Sequence, residues 1–172
     1  MLNEIIRHSI RFALLVLVQG LILKNVPLGP FVNPFLYVLF ILQLPFETPP
    51  WLGLIIAFVT GLLVDMFYNT VGMHAVVCTF IGYIRPGILR LMAPREGYEF
   101  GAQPTMQFMG RAWFISYAAI VIVIHHLALF YLEMLSFNEF FATLLRVIAS
   151  AAVSLLLVVV VQMLFYRKKE AA

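Results

Sequence analysis

The sequence predicts an all-α integral membrane bundle of six transmembrane helices, and three observations predict it. Of 172 residues, 63% are hydrophobic and 11% charged, with a mean hydropathy of +1.01, well above that of a water-soluble domain. A hydrocarbon core of about 30 Å takes roughly 20 apolar residues per helix, and the chain breaks at Pro, Gly and charged clusters into six runs of that order or shorter. The arginines, finally, concentrate in alternate connections. A single transmembrane domain is expected over residues 1–172, with no room for a separate soluble one.

The first span, 10–23, follows Arg7 and Arg11 and ends in LKNVPLGPF. Lys24 and two prolines stand where a leader peptide would carry small residues, so a retained span is expected. The second, 34–46, is short and gives way to PFETPPW, whose prolines end one helix and start the next, with Trp51 as an interfacial anchor. The third, 51–67, carries Asp65 at its end. The fourth, 71–84, is short again, which implies thinning, tilt or shielding by neighbours, because bare backbone groups in lipid are costly.

Residues 85–111 form the long connection, RPGILRLMAPREGYEFGAQPTMQFMGR, broken by Pro94, Gly97, Gly101 and Pro104. Its arginines, Arg85, Arg90, Arg95 and Arg111, have two readings: contacts to anionic headgroups that fix orientation, or a docking surface for a cytoplasmic partner. The fifth and sixth spans are expected at 112–132 and 140–166. With six spans, Arg7 and Arg11, the 85–111 connection and Arg167–Lys169 all fall on one side, while the other side holds Lys24, Asp65, Glu133 and Glu139. The positive-inside rule then puts both termini in the cytoplasm. The net charge of +3 is explained by this orientation, and nucleic acid is not an expected partner.

In this topology the polar residues of the spans collect in the outer half. His126, Phe130 and Glu133 follow helical spacing on one face, as do Glu139, Thr143, Arg146 and Ser150. A charge in lipid is expensive, so Arg146 is expected to pair with Asp65, Glu133 or Glu139, or to snorkel outward. The stripes are read either as bonded pairs that fix helix register or as a pocket for a ligand or a partner's helix. Neighbours on a helix point about 100° apart, so His125 and His126 are not expected to face one site, which argues against a metal site built from them. Ser150 and Ser154 form a small-xxx-small step. Cys78, the single cysteine, is read as a packing residue. No phosphate loop, zinc-protease helix or serine nucleophile motif is present, so neither catalysis nor a cofactor or metal is expected.

The stretch TGLLVDMFYNTVGMHAVVCTFIGYIRP, with Gly61, Asp65, Asn69-Thr70 and Val71-Gly72 ahead of a small-residue-rich helix, resembles the MreD family of bacterial rod-shape-determining membrane proteins. RPGILRLMAPREGYEFGAQPT, HHLALFYLE and FFATLLRV extend the resemblance over nearly the whole chain. It implies a non-enzymatic, multi-pass component of the inner membrane that binds MreC and, through it, the class B penicillin-binding transpeptidase, RodA and MreB, to direct peptidoglycan synthesis and cell shape. The family also resembles, in helix arrangement, the S components of energy-coupling-factor vitamin transporters, whose ligand site lies at the outer face. A substrate-binding transporter component is therefore the alternative. Under either reading, Asp65 and Gly72 are expected to close their turn or meet a partner, and His126, Glu133, Glu139 and Arg146 to line the outer face.

Overall fold

A computed structural model of the chain describes residues 2–29, 31–134 and 139–165. Three quarters of it is helical, and no strand occurs among the described residues. In chain order the helices are α1 (Leu2–Leu17), α2 (Val38–Leu42), α3 (Pro50–Tyr68), α4 (Met73–Leu91), α5 (Met106–Met109), α6 (Arg111–Met134) and α7 (Phe140–Leu164). A π-helical turn, Val18–Ile22, and a 3₁₀ turn, Leu23–Asn25, prolong α1. Four stretches are long and apolar enough to cross a membrane: Ile6–Asn25, Pro50–Tyr68, Arg111–Met134 and Phe140–Leu164. They coincide with the first, third, fifth and sixth runs of the sequence.

The other two runs differ from expectation. The run at 34–46 is helical only over Val38–Leu42, yet residues 34–44 are all buried. It is not a lipid-facing helix but a mostly irregular segment inside the bundle. It runs antiparallel to α1: the Leu36 amide donates to Gln19 (2.7 Å), while Arg11 donates to Gln43 (2.9 Å). Irregular backbone survives at such depth only where protein satisfies its polar groups. The run at 71–84 is longer than expected, since α4 continues through Arg85 and Pro86 to Leu91. Two arginines, a histidine and a proline dilute its apolar character.

α3 and α4 form the most closely packed pair, an antiparallel hairpin. Gly61 makes this possible: a Cβ there would lie 2.3 Å from the His74 carbonyl oxygen and 2.5 Å from the Ala75 Cα. Small residues at such crossings allow two backbones to touch. The reversal takes four residues. Asn69 ends α3 in the left-handed region (φ 54°), and Gly72 precedes α4 at φ 79°, a conformation that favours glycine. α4 then packs on α6, and α6 on α7. Segment 34–44, with Tyr37 wholly buried, fills the centre, and Phe114, Tyr117, Val121, Ile122 and Phe130 of α6 are almost wholly buried.

Candidate functional site

Three polar layers run through the bundle. At the end that carries the α3–α4 turn, Asp65 is buried (3% exposed). Its Oδ1 accepts the Thr70 hydroxyl (2.5 Å) and the His74 amide (3.0 Å), and its Oδ2 accepts the Ala75 amide (2.9 Å). The first amides of a helix have no partner within it and carry partial positive charge. Asp65 satisfies two of them from nine and ten residues upstream, and so ties the end of α3 to the start of α4.

Arg146 of α7 does not reach Asp65. Its Nη1 lies 3.0 Å from Glu133 Oε2, and its guanidinium sits 4.3 Å from the centroid of the Phe130 ring. In the amide orientation that satisfies both groups, Asn33 also accepts from Arg146 Nε (3.2 Å) and Nη2 (3.3 Å). Of the three carboxylates expected to compete for it, Glu133 is therefore the one that pairs. Glu139 is exposed at the start of α7, where its carbonyl accepts the Thr143 amide (2.9 Å).

The middle layer holds segment 31–44 in place. Gln19, turned inward by the π-helical turn, donates to the Pro34 carbonyl (3.1 Å) and Tyr68 Oη (2.7 Å), in addition to accepting from Leu36. π-turns of this kind redirect single side chains. Ser150 and Ser154 are more than a small-residue step, because their hydroxyls accept the Asn33 and Phe35 amides (both 2.9 Å). His126 is buried, with Nδ1 on the Ile122 carbonyl (2.8 Å) and Nε2 on the Ser154 hydroxyl (3.0 Å). The Ile122 carbonyl can only accept, so the imidazole proton sits on Nδ1, and Nε2 of the neutral ring accepts from the Ser154 hydroxyl.

The two adjacent histidines converge, contrary to expectation. Both rings flank Phe35, with centroids 5.7 Å (His125) and 5.4 Å (His126) away, and His74 lies against the same ring at 5.2 Å. Their bonds still diverge as the 100° offset requires. His126 turns to α7, whereas His125 Nε2 meets Tyr37 Oη (2.7 Å), which also meets His74 Nδ1 (2.8 Å). Among the described residues, no three His, Cys, Asp or Glu side chains are placed to hold one metal ion.

At the opposite end, Arg85 is not a loop residue. It is buried in α4, where Nε donates to Tyr117 Oη (2.9 Å) and Nη2 to the Leu44 carbonyl, with the Leu42 carbonyl at 3.5 Å. The guanidinium thus satisfies the carbonyls left open where α2 ends. Arg90 and Arg95 are exposed, and Arg111 is exposed at the start of α6. The 92–110 connection is anchored rather than free. Tyr98 stacks on Phe46 (3.9 Å between centroids) and donates to the Leu89 carbonyl (2.6 Å), while Trp113 donates to the Met92 carbonyl (2.9 Å). Burial against these rings pushes the Tyr98 hydroxyl pKa up.

Gln19, Tyr37 and His74 escaped the sequence reading. Gln19 was detectable as a lone amide inside an apolar run. Tyr37 and His74 carried no local signal, because their partners lie 37 and 88 residues apart in the chain. No protein-family model, curated protein or solved structure matches this chain.

Proposed function

We propose that this protein is a non-enzymatic membrane scaffold of the rod-elongation complex in the bacterial inner membrane, binding MreC and through it the class B transpeptidase, RodA and MreB. One observation carries the choice between scaffold and solute carrier. Asp65, His126, Glu133 and Arg146, the polar groups assigned to the outer end, are turned onto backbone amides or side chains of the same bundle. A solute-binding component needs such groups aimed at a ligand, whereas a scaffold needs them to fix helix register.

The topology belongs to the same proposal: six crossings with both termini in the cytoplasm. Segment 34–46 lies antiparallel to the first span from Gln19 to Arg11 and is buried over 34–44, which supports a second, mostly irregular crossing shielded from lipid. The 19 residues of α4 come to about 28 Å at 1.5 Å per residue, enough for a fourth crossing whose Arg85 is satisfied inside the protein.

Depletion of the protein in a rod-shaped bacterium tests the function. Cells are expected to round up and to incorporate wall precursor in a disordered pattern. Unchanged shape and unchanged incorporation would overturn the scaffold reading.

A further inference from the structure

At the arginine-bearing end, a cavity of about 710 Å³ lies between α1, α7 and the 101–108 stretch. Four of the chain's five glutamines, Gln43, Gln103, Gln107 and Gln162, line it, so most of the side-chain amides of an apolar protein meet in one place. Gln43 and Gln162 are only 4% and 7% exposed, and the orientation of each amide is fixed by what its oxygen accepts. Gln43 Oε1 accepts from the Arg11 guanidinium (2.9 Å), and Gln162 Oε1 accepts the Met106 amide (3.1 Å). Both of those partners can only donate, which leaves the Nε2 group of each glutamine as a free donor. Among the described residues neither nitrogen has a partner, and neither is sealed off, since the buried side-chain atoms without a partner are Thr105 Oγ1 and His125 Nδ1. An amide donor in an apolar setting costs free energy until it finds an acceptor. Two such donors on one cavity call for a ligand that accepts. Arg7 and Arg11 line the same cavity but are engaged with other groups, and the site does not call on their charge.

The ligand must also suit an apolar track. Ile10 and Leu14 of α1 and Phe165 just after α7 line the cavity and are more than half exposed, and both helices are long and apolar enough to cross a membrane. Gln162 lies two residues before the end of α7, and Gln43 directly follows α2. The two donors thus stand where apolar segments end, the depth at which a bilayer passes from hydrocarbon to headgroup. The acceptors found at that depth are the ester carbonyls of the lipid.

We propose that this cavity holds one diacyl membrane lipid by its ester carbonyls, which accept from Gln43 Nε2 and Gln162 Nε2, with an acyl chain along Ile10, Leu14 and Phe165. The site does not depend on the scaffold reading, because it is tested on the isolated full-length chain. Native mass spectrometry from detergent micelles reads occupancy directly, with a diacyl phosphatidylcholine or its dialkyl ether counterpart added in turn. These two lipids share headgroup and chains and differ in the carbonyls alone. One diacyl lipid per chain is expected to be retained, and the ether lipid more than ten-fold less, the factor for two neutral hydrogen bonds. Gln43→Glu and Gln162→Glu keep the oxygen that meets Arg11 or the Met106 amide and remove only the donor. Each should weaken retention of the diacyl lipid about five-fold, as for one neutral hydrogen bond, and leave retention of the ether lipid unchanged. The lipid pair on the unaltered chain decides the matter even if a variant folds poorly. Equal retention of the two lipids, retention of neither, or retention of the diacyl lipid unchanged in either variant would each overturn the assignment.

Discussion

Asp65 and Ala75 are joined by a 2.9 Å bond from the Ala75 amide to Oδ2 of the aspartate. A buried carboxylate thereby becomes the hinge pin of the α3–α4 hairpin. The bond is charge-assisted on a helix terminus, and its removal strands two amides in a buried site. Asp65→Ala should lower stability by about 2–3 kcal/mol. Thr70→Val, which removes only the hydroxyl donor, should cost about 1 kcal/mol. Both are measured by unfolding the detergent-solubilised protein with a graded denaturant. Equal effects of the two changes would contradict this role for Asp65.

The two glycines of the hairpin should respond differently. At Gly61 an added methyl has no room against the His74 and Ala75 backbone, so Gly61→Ala should cost about 3 kcal/mol, near the top of the overpacking range. At Gly72 nothing lies within 4 Å of an added Cβ, and only the left-handed backbone opposes a side chain, at about 1–2 kcal/mol. The ranking Gly61→Ala worse than Gly72→Ala is checked by the same unfolding assay.

Arg146 should couple energetically to one carboxylate. In a double-mutant cycle on stability, Arg146→Ala with Glu133→Gln should show a coupling of about 0.5–1 kcal/mol, as for partly exposed pairs. Cycles with Asp65→Asn and Glu139→Gln should be additive. Coupling to either of those instead would contradict the observed pairing.

Tyr37 joins two histidines from different helices, so Tyr37→Phe leaves His74 Nδ1 and His125 Nε2 without their shared partner. The expected loss is about 2–3 kcal/mol. Cys78→Ala removes a sulfur 3.7 Å from the same hydroxyl, a weak contact, and should cost about 1 kcal/mol. Unfolding midpoints that reverse this order would show that the hydroxyl does not carry the link.

The mild effect expected of Cys78→Ala makes it a background for accessibility labelling. In intact cells, an impermeant thiol reagent should modify a cysteine at Glu139 and spare one at Glu99. The opposite pattern would invert the proposed topology.

Four of the helices were legible because length and apolarity are local properties, and nothing in their packing opposes them. Segment 34–46 was apolar enough to read as a span. The backbone amides of Phe35 and Leu36, and of Asn33 just before the segment, are instead satisfied by Ser154, Gln19 and Ser150, side chains that lie outside the segment. Arg85 read as the start of a loop because a charge followed by proline ends most helices. Only the Leu42 and Leu44 carbonyls and Tyr117, 32 to 43 residues away, make it a buried helical residue. Asp65 was legible as a turn residue from its neighbours, while its actual partners, the first amides of α4, needed the hairpin to close. The convergence of His125 and His126 on Phe35 was hidden because the 100° rule fixes where each ring starts and says nothing of a third ring, from a segment 90 residues upstream, that lies against both.

The scaffold reading is tested most directly by co-purification. Full-length chain, tagged and solubilised in mild detergent from cells that express both proteins, is expected to bring MreC with it in constant proportion through affinity and size-exclusion steps. Gly61→Ala, which disturbs the α3–α4 hairpin, should reduce that proportion together with the yield of folded protein. Stable, monodisperse chain that emerges free of MreC while retaining a bound small metabolite would contradict the scaffold reading and favour the solute-binding alternative.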